Sequence, residues 1–155
     1  MKASSENQLM TVSEITLSYH PAVKPMQRPI IKTPREAYQL FLKHWDMDKI
    51  YLCEQCYMLL LNRRGNVLGM IELSSGGISG TVVDVKLVFA TALKACASSM
   101  VLAHNHPSGD VLPSEQDKAV TRRIAEAGKL LGIELADHLI ISPERYLSMA
   151  EENYF

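Results

Sequence analysis

The sequence predicts an α/β (α+β) fold, a mixed sheet flanked by two or three helices. Three observations carry that prediction. Residues 57–61, 67–73 and 99–103 are apolar runs short enough to be strands, and 133–142 completes the set. The first two runs are separated by Arg63-Arg64-Gly65-Asn66, a turn sequence, and together read as a β-hairpin. Residues 84–97 and 114–131 instead repeat their apolar positions every three or four residues, the spacing of a helix that buries one face.

Taken in order, residues 1–32 form an N-terminal extension or linker, and the domain proper runs over 33–155. Within the extension, 9–19 carry a mixed polar–apolar pattern that fits a strand. Pro21, Pro25 and Pro29 then make an extended connector poor in hydrogen bonds. Thr33-Pro34-Arg35-Glu36 starts a helix by its own chemistry: Thr33 caps, Pro34 takes the first helical position, and Glu36 sits near the positive end of the dipole. Ala37, Leu40, Phe41, His44 and Trp45 share one face of it, and His44 reads as a helix-face histidine rather than a ligand.

Cys53-Glu54-Gln55-Cys56 has Cys-x-x-Cys spacing, but a four-thiolate zinc site needs a second pair that Cys96 alone cannot supply. Met58, Met70 and Met100 are read as core fillers. The 84–97 helix carries a stripe of Val85, Val88, Phe89, Ala92, Leu93 and Cys96. The 114–131 helix turns Val120, Ile124, Ala127, Leu130 and Leu131 inward and ends before Gly132. Arg122, Arg123 and Lys129 fall mostly on its outer, solvated face.

The chemistry concentrates after the 99–103 strand, in His104-Asn105-His106-Pro107-Ser108-Gly109-Asp110-Val111-Leu112-Pro113-Ser114-Glu115-Gln116-Asp117. A strand that continues through the histidines points both imidazoles to one side, because its side chains alternate. Pro107, Gly109 and Pro113 force a loop, and Ser114 opens the next helix. Two imidazoles and one carboxylate thus converge where a strand end meets a helix start. Three protein ligands with one open position is the arrangement of a catalytic zinc site. Ser114-x-x-Asp117 equally fits a helix capping box, so Ser114 either caps the helix or faces the metal. Asp137-His138, outside this constellation, is given a supporting or structural role.

His-x-His, seven residues, Ser, two residues, Asp resembles the signature of the JAMM (JAB, MPN-plus) metallopeptidases. The longer string from His104 to Asp110 with Pro113-Ser114 resembles the RadC branch of that superfamily, as do Asp137-His138-Leu139-Ile140-Ile141 and Tyr146-Leu147-Ser148. The resemblance runs from about residue 33 to residue 150. It implies a cytidine-deaminase-like α-β-α sandwich in which His104, His106 and Asp117 hold Zn²⁺. It also implies hydrolysis of a peptide or isopeptide bond through a zinc-activated water, with Ser114 donating to the oxyanion. JAMM enzymes place a glutamate on an early strand as general base. Glu72, inside an apolar strand and just before Ser74-Ser75-Gly76-Gly77, is the expected one, although on composition alone it would simply face solvent. Glu54 is the less favoured base. Residues 76–79 are a candidate lid.

Composition limits the alternatives. Net charge is −1 with 21% charged residues, which argues against a protein that mainly grips phosphate backbones. The chain also has too few residues ahead of the domain for the helical DNA-binding-type segment of typical RadC proteins, which weakens a role in DNA repair. His104-Asn105-His106 spells the name of the HNH nucleases, whose motif residues are dispersed rather than contiguous. An accessory factor of DNA repair and a non-catalytic MPN-type interaction module are therefore the alternatives to a hydrolase with a protein or peptide-like substrate. No apolar run reaches membrane-span length, no signal-peptide pattern opens the chain, and an odd cysteine count suits a reducing interior. A cytoplasmic location is expected.

Overall fold

The computed structural model describes residues 12–16, 18–76 and 82–155. Helix α1 (Pro34–His44) is followed by strands β1 (Gln55–Leu61) and β2 (Val67–Ser75). Helix α2 (Val85–Lys94), strand β3 (Ser99–Asn105), helix α3 (Glu115–Leu131) and strands β4 (Glu134–Ile141) and β5 (Tyr146–Ser148) complete the order. The strands form one mixed sheet in the order β2-β1-β3-β4-β5. β3 and β4 are parallel, as a helical crossover through α3 requires, and every other neighbouring pair is antiparallel.

Side-chain alternation along the central strands sorts the core into two layers. Cys56, Met58 and Leu60 of β1 and Met100 and Leu102 of β3 pack against Val88, Phe89 and Ala92 of α2 and Ile124 of α3. Tyr57, Leu59, Val101 and Ala103 face the other way, onto Ala37, Phe41 and Trp45 of α1. Burial on both faces explains why β1 reads as a continuous apolar run instead of alternating. The sheet thus separates α1 from α2 and α3, the α-β-α layering expected.

The expected first helix forms with its capping box: Glu36 N–H donates to Thr33 Oγ1 at 3.3 Å, and Thr33 N–H donates to Glu36 Oε2 at 3.0 Å. His44 is exposed and remote from any ligand set. The hairpin between β1 and β2 turns at Gly65, whose φ of 77° and close approach to the Ile31 carbonyl both exclude a side chain. Met58 and Met100 are fully buried, and Met70 packs against the α1 layer.

Other details differ from the periodicity. Residues 12–16 and 18–20 form no strand, and the rest of the 9–19 segment lies outside the described residues. β1 starts two residues early, at Gln55, and β3 runs two residues further, through His104 and Asn105. Leu93 and Cys96 are exposed, because α2 ends at Lys94 and the chain leaves it with Cys96 at a φ of 54°. Leu130 and Leu131 are exposed as well: Thr121, Ile124 and Gly128 are the buried line of α3, and its last turn carries the two leucines off that line. The short β5 was not expected as a strand. Asp137 anchors it, accepting from the Ser148 hydroxyl at 2.6 Å and from the Ala150 N–H at 3.1 Å.

Candidate metal centre

β3 ends by sending His104 to the α2–α3 face, in line with Met100 and Leu102. His106, one residue past the strand, is brought to the same point by a tight turn in which Gly109 N–H donates to the His106 carbonyl. That turn needs a left-handed residue, and Gly109 supplies it at φ 77°. α3 then starts with Asp117 in its first turn. His104 Nε2 lies 3.1 Å from His106 Nε2 and 3.2 Å from Asp117 Oδ1, and His106 Nε2 lies 3.4 Å from Asp117 Oδ2. Among the described residues this is the one group of three such side chains able to hold a metal ion.

These separations test the fit to an ion. Nitrogen and oxygen ligands about 2.0–2.2 Å from a tetrahedral zinc lie about 3.3–3.6 Å from each other. Each of the three pairs is at or slightly inside that spacing, with Asp117 turning a different oxygen to each ring, so the donors are close enough to converge on an ion. Two imidazoles and a carboxylate are also the donor types that zinc accepts in sites with an open position. His106 Nδ1 lies 3.0 Å from the Asp110 carbonyl, which only accepts; the ring proton therefore sits on Nδ1 and leaves Nε2 for the ion.

The electrostatics follow from the crowding. Burial pushes the Asp117 carboxyl pKa up, but the His104 and His106 rings against it and the hydrogen bond from Ser114 outweigh that and hold the group far below the usual carboxylate range. In return, the hydrogen bond to Asp117 raises the pKa of His106 despite its partial burial. His138 behaves oppositely. Burial, with His104 beside it, drives its pKa well below the ordinary histidine value, so it is neutral.

Ser114 takes the capping role and also stands at the triad. Its hydroxyl accepts from Asp117 N–H at 3.1 Å, its N–H donates to Asp117 Oδ2 at 2.7 Å, and its hydroxyl donates to the same oxygen at 2.7 Å. It caps α3 and also lines the cavity beside the triad. That cavity, about 380 Å³, is bordered by His104, His106, Asp117, Ser114, Glu54 and Arg123. Arg123 therefore does not lie wholly on the outer face of α3 as its position suggests, whereas Arg122 donates to the Tyr154 carbonyl.

Glu72 is not brought to the triad. Its carboxylate accepts from the Tyr57 hydroxyl at 2.6 Å and from Gln55 Nε2 at 3.3 Å. Tyr57 belongs to the α1 layer, with its ring 4.3 Å from that of Trp45, so Glu72 is on the opposite face of the sheet from His104. The reason is a β-bulge: Cys56 pairs with Ser74, but Tyr57 pairs with Glu72, and the extra residue, Leu73, shifts Glu72 to the other face. Glu54 is the carboxylate at the cavity. It is held there by Asn105, whose Oδ1 accepts from Gln55 N–H at 2.8 Å and whose Nδ2 donates to the carbonyls of Ile50 and Cys53 at 2.7 and 3.0 Å. The signal was present in the sequence as a glutamate just ahead of a strand that pairs with the His104 strand.

The Cys-x-x-Cys pair belongs to no metal-capable group found among the described residues. Cys56 is buried, which pushes its thiol up to about 12 and leaves it a poor thiolate, and all three cysteines are free. Of the candidate lid, residues 77–79 lie outside the described residues.

A mixed five-stranded sheet with this donor set at the end of its central strand is the layout of a JAB/MPN-type domain. The chain belongs to the RadC-like JAB domain family, whose model matches residues 31–154. A UPF0758 protein of Syntrophomonas wolfei is 42% identical over 124 residues, 79% of this chain and 52% of the relative. UPF0758 proteins of Flavobacterium johnsoniae and Porphyromonas gingivalis are 44% and 49% identical over 102 and 100 residues. Those stretches are 66% and 64% of this chain and 44% of each relative. The chain thus spans about half the length of the curated relatives it matches. Among the described residues no helix is long and apolar enough to cross a membrane.

Proposed function

We propose that this chain is a zinc-dependent amide hydrolase of the JAMM type, acting on a peptide or isopeptide bond in a protein or peptide-like substrate. The observation that carries the reading is the juxtaposition of His104, His106 and Asp117 with Glu54 around one open cavity. His104, His106 and Asp117 would hold the ion. When bound, Zn²⁺ supplies Lewis-acid polarisation of an oxygen at its open position. Glu54 takes the proton of the attacking water and returns it to the leaving amine, the work of a general base that becomes a general acid. Ser114 lines the cavity, and its one hydroxyl hydrogen, given to Asp117 Oδ2 in the free protein, would turn from that oxygen to the oxyanion as the carbonyl becomes tetrahedral. Three free cysteines suit a reducing compartment, and we place the reaction in the cytoplasm.

The test pairs metal analysis with hydrolysis of an amide or isopeptide library. The purified protein should carry about one zinc per chain, and His106→Ala should lose it. Glu54→Gln should keep the zinc and lose about 10²–10⁴-fold in turnover, whereas Glu72→Gln should stay within a few-fold of the native rate. A turnover collapse in Glu72→Gln with Glu54→Gln unaffected would overturn the assignment of the base. Zinc retained with no turnover of any amide would favour an interaction module instead.

A further inference from the structure

His138 and Thr121 lie outside the ligand set, yet the structure ties both to it. His138 is 1% exposed and sits on β4, which pairs with β3. Its Nε2 lies 2.8 Å from His104 Nδ1, and its Nδ1 lies 2.7 Å from Thr121 Oγ1. Thr121, fully buried on α3, has its Oγ1 2.6 Å from the Asp117 carbonyl, one turn back along the helix.

The direction of these hydrogen bonds can be worked out from one hydrogen. A carbonyl oxygen only accepts, so the 2.6 Å contact requires the Thr121 hydroxyl hydrogen to point at Asp117. Met149 Sδ, at 3.7 Å, is a longer and weaker second acceptor for the same hydrogen. Either way the hydroxyl has no hydrogen left for His138, and Thr121 Oγ1 must accept from His138 Nδ1–H. His138 is buried, and its ring nitrogens face a hydroxyl and an imidazole rather than a carboxylate, so nothing there holds a second ring proton; with Nδ1 the donor, its Nε2 is a lone pair and accepts from His104 Nδ1–H. The proton on His104 is thereby fixed on the nitrogen turned away from Asp117. Its Nε2 remains the atom that faces Asp117 and His106.

We infer that Thr121 and His138 are positioning residues that lock the tautomer of His104, so that its Nε2 is offered to the metal. The opposite arrangement, a Thr121 hydroxyl donating to His138, would reverse every bond and send a proton to His104 Nε2, where it would compete with the ion. An α-helix backbone carbonyl therefore sets the chemical state of a ligand two side chains away. The inference rests on the metal reading of the triad, but its signature exists without metal.

The test uses ¹⁵N-histidine NMR of the full chain, metal-free and with one equivalent of Zn²⁺, together with zinc affinity by chelator competition. His138 should show a protonated Nδ1 and an unprotonated Nε2 in both states. A protonated Nε2 on His138 would overturn the relay. Thr121→Val keeps the shape and removes the hydroxyl. It should weaken zinc binding by about 10–100-fold, the usual effect of removing such support, and Thr121→Ser should restore it to within a few-fold. Thermal unfolding of each variant shows whether it is folded. A folded Thr121→Val protein with native affinity would also sink the inference, and if that variant does not fold, the wild-type spectrum decides. Failure of the native protein to bind zinc at all would defeat the metal reading, while the His138 spectrum still reports on the hydrogen-bond direction.

Discussion

Asn105 stands between the two histidines of the triad and points to the other side of the strand, where it holds the 50–55 segment by three hydrogen bonds. Asn105→Ala leaves a buried N–H and two carbonyls without that partner, and each such group costs about 1–3 kcal/mol. The variant should lose at least about 2 kcal/mol in urea unfolding and lose turnover through Glu54 while still binding zinc. Unchanged stability would show that solvent replaces the carboxamide at no cost. At this scale the convergence of His104, His106 and Asp117 was legible in the sequence, and the placement of Glu54 rather than Glu72 beside them was not. His104, His106 and Asp117 follow from local spacing, since a strand end, a Pro/Gly loop and a helix start leave their side chains little choice. Glu72 and Glu54 are separated by something less local, the one-residue bulge opposite Cys56 and Tyr57. Without it Glu72 would pair with Met58 and share the face of His104; a bulge of that kind writes no pattern into an apolar strand.

α3 is the element that brings the halves of the site together, and its fit depends on an absence of side chain. A Cβ on Gly128 would collide with the Ile133 carbonyl, and Ile133 N–H donates to the Gly128 carbonyl at 2.9 Å. The helix therefore meets the start of β4 backbone to backbone. Gly128→Ala should destabilise the fold by about 1–3 kcal/mol in denaturant titration, against the small gain that Ala brings to an ordinary helix interior. An unchanged midpoint would mean that the helix end shifts freely. This contact also explains which periodicity misled. Leu130 and Leu131 complete an apolar stripe on paper, but the buried line of α3 runs through Thr121, Ile124 and Gly128, and a hydrophobicity pattern finds Ile124 while passing over the polar Thr121 and the small Gly128. β5 escapes notice for a different reason: three residues are too few to show a period, and a buried carboxylate, Asp137, holds them rather than an apolar face.

For the whole molecule, a ligand that binds only the folded state raises its stability by mass action, about 2.7 kcal/mol at a hundredfold excess over the dissociation constant. Zinc should therefore raise the melting temperature by roughly 5–10 °C for a domain of this size, and a chelator should reverse it. The effect should shrink as pH falls from about 8 to about 6, because an imidazole must shed its proton to bind and Asp117 holds the His106 proton to higher pH than usual. A melting point indifferent to both metal and chelator would contradict the reading. On the proposed reading, the same architecture separates grip from action along the chain. His104, His106, Asp117, Thr121 and His138 all belong to the single β3-α3-β4 crossover, with His104 and His138 only 34 residues apart, whereas Asn105 reaches back 50 residues to fix the segment that bears Glu54. The residues that would hold the ion therefore come from one continuous stretch of chain, and the segment bearing Glu54 is joined to them from a separate stretch by the side chain of Asn105.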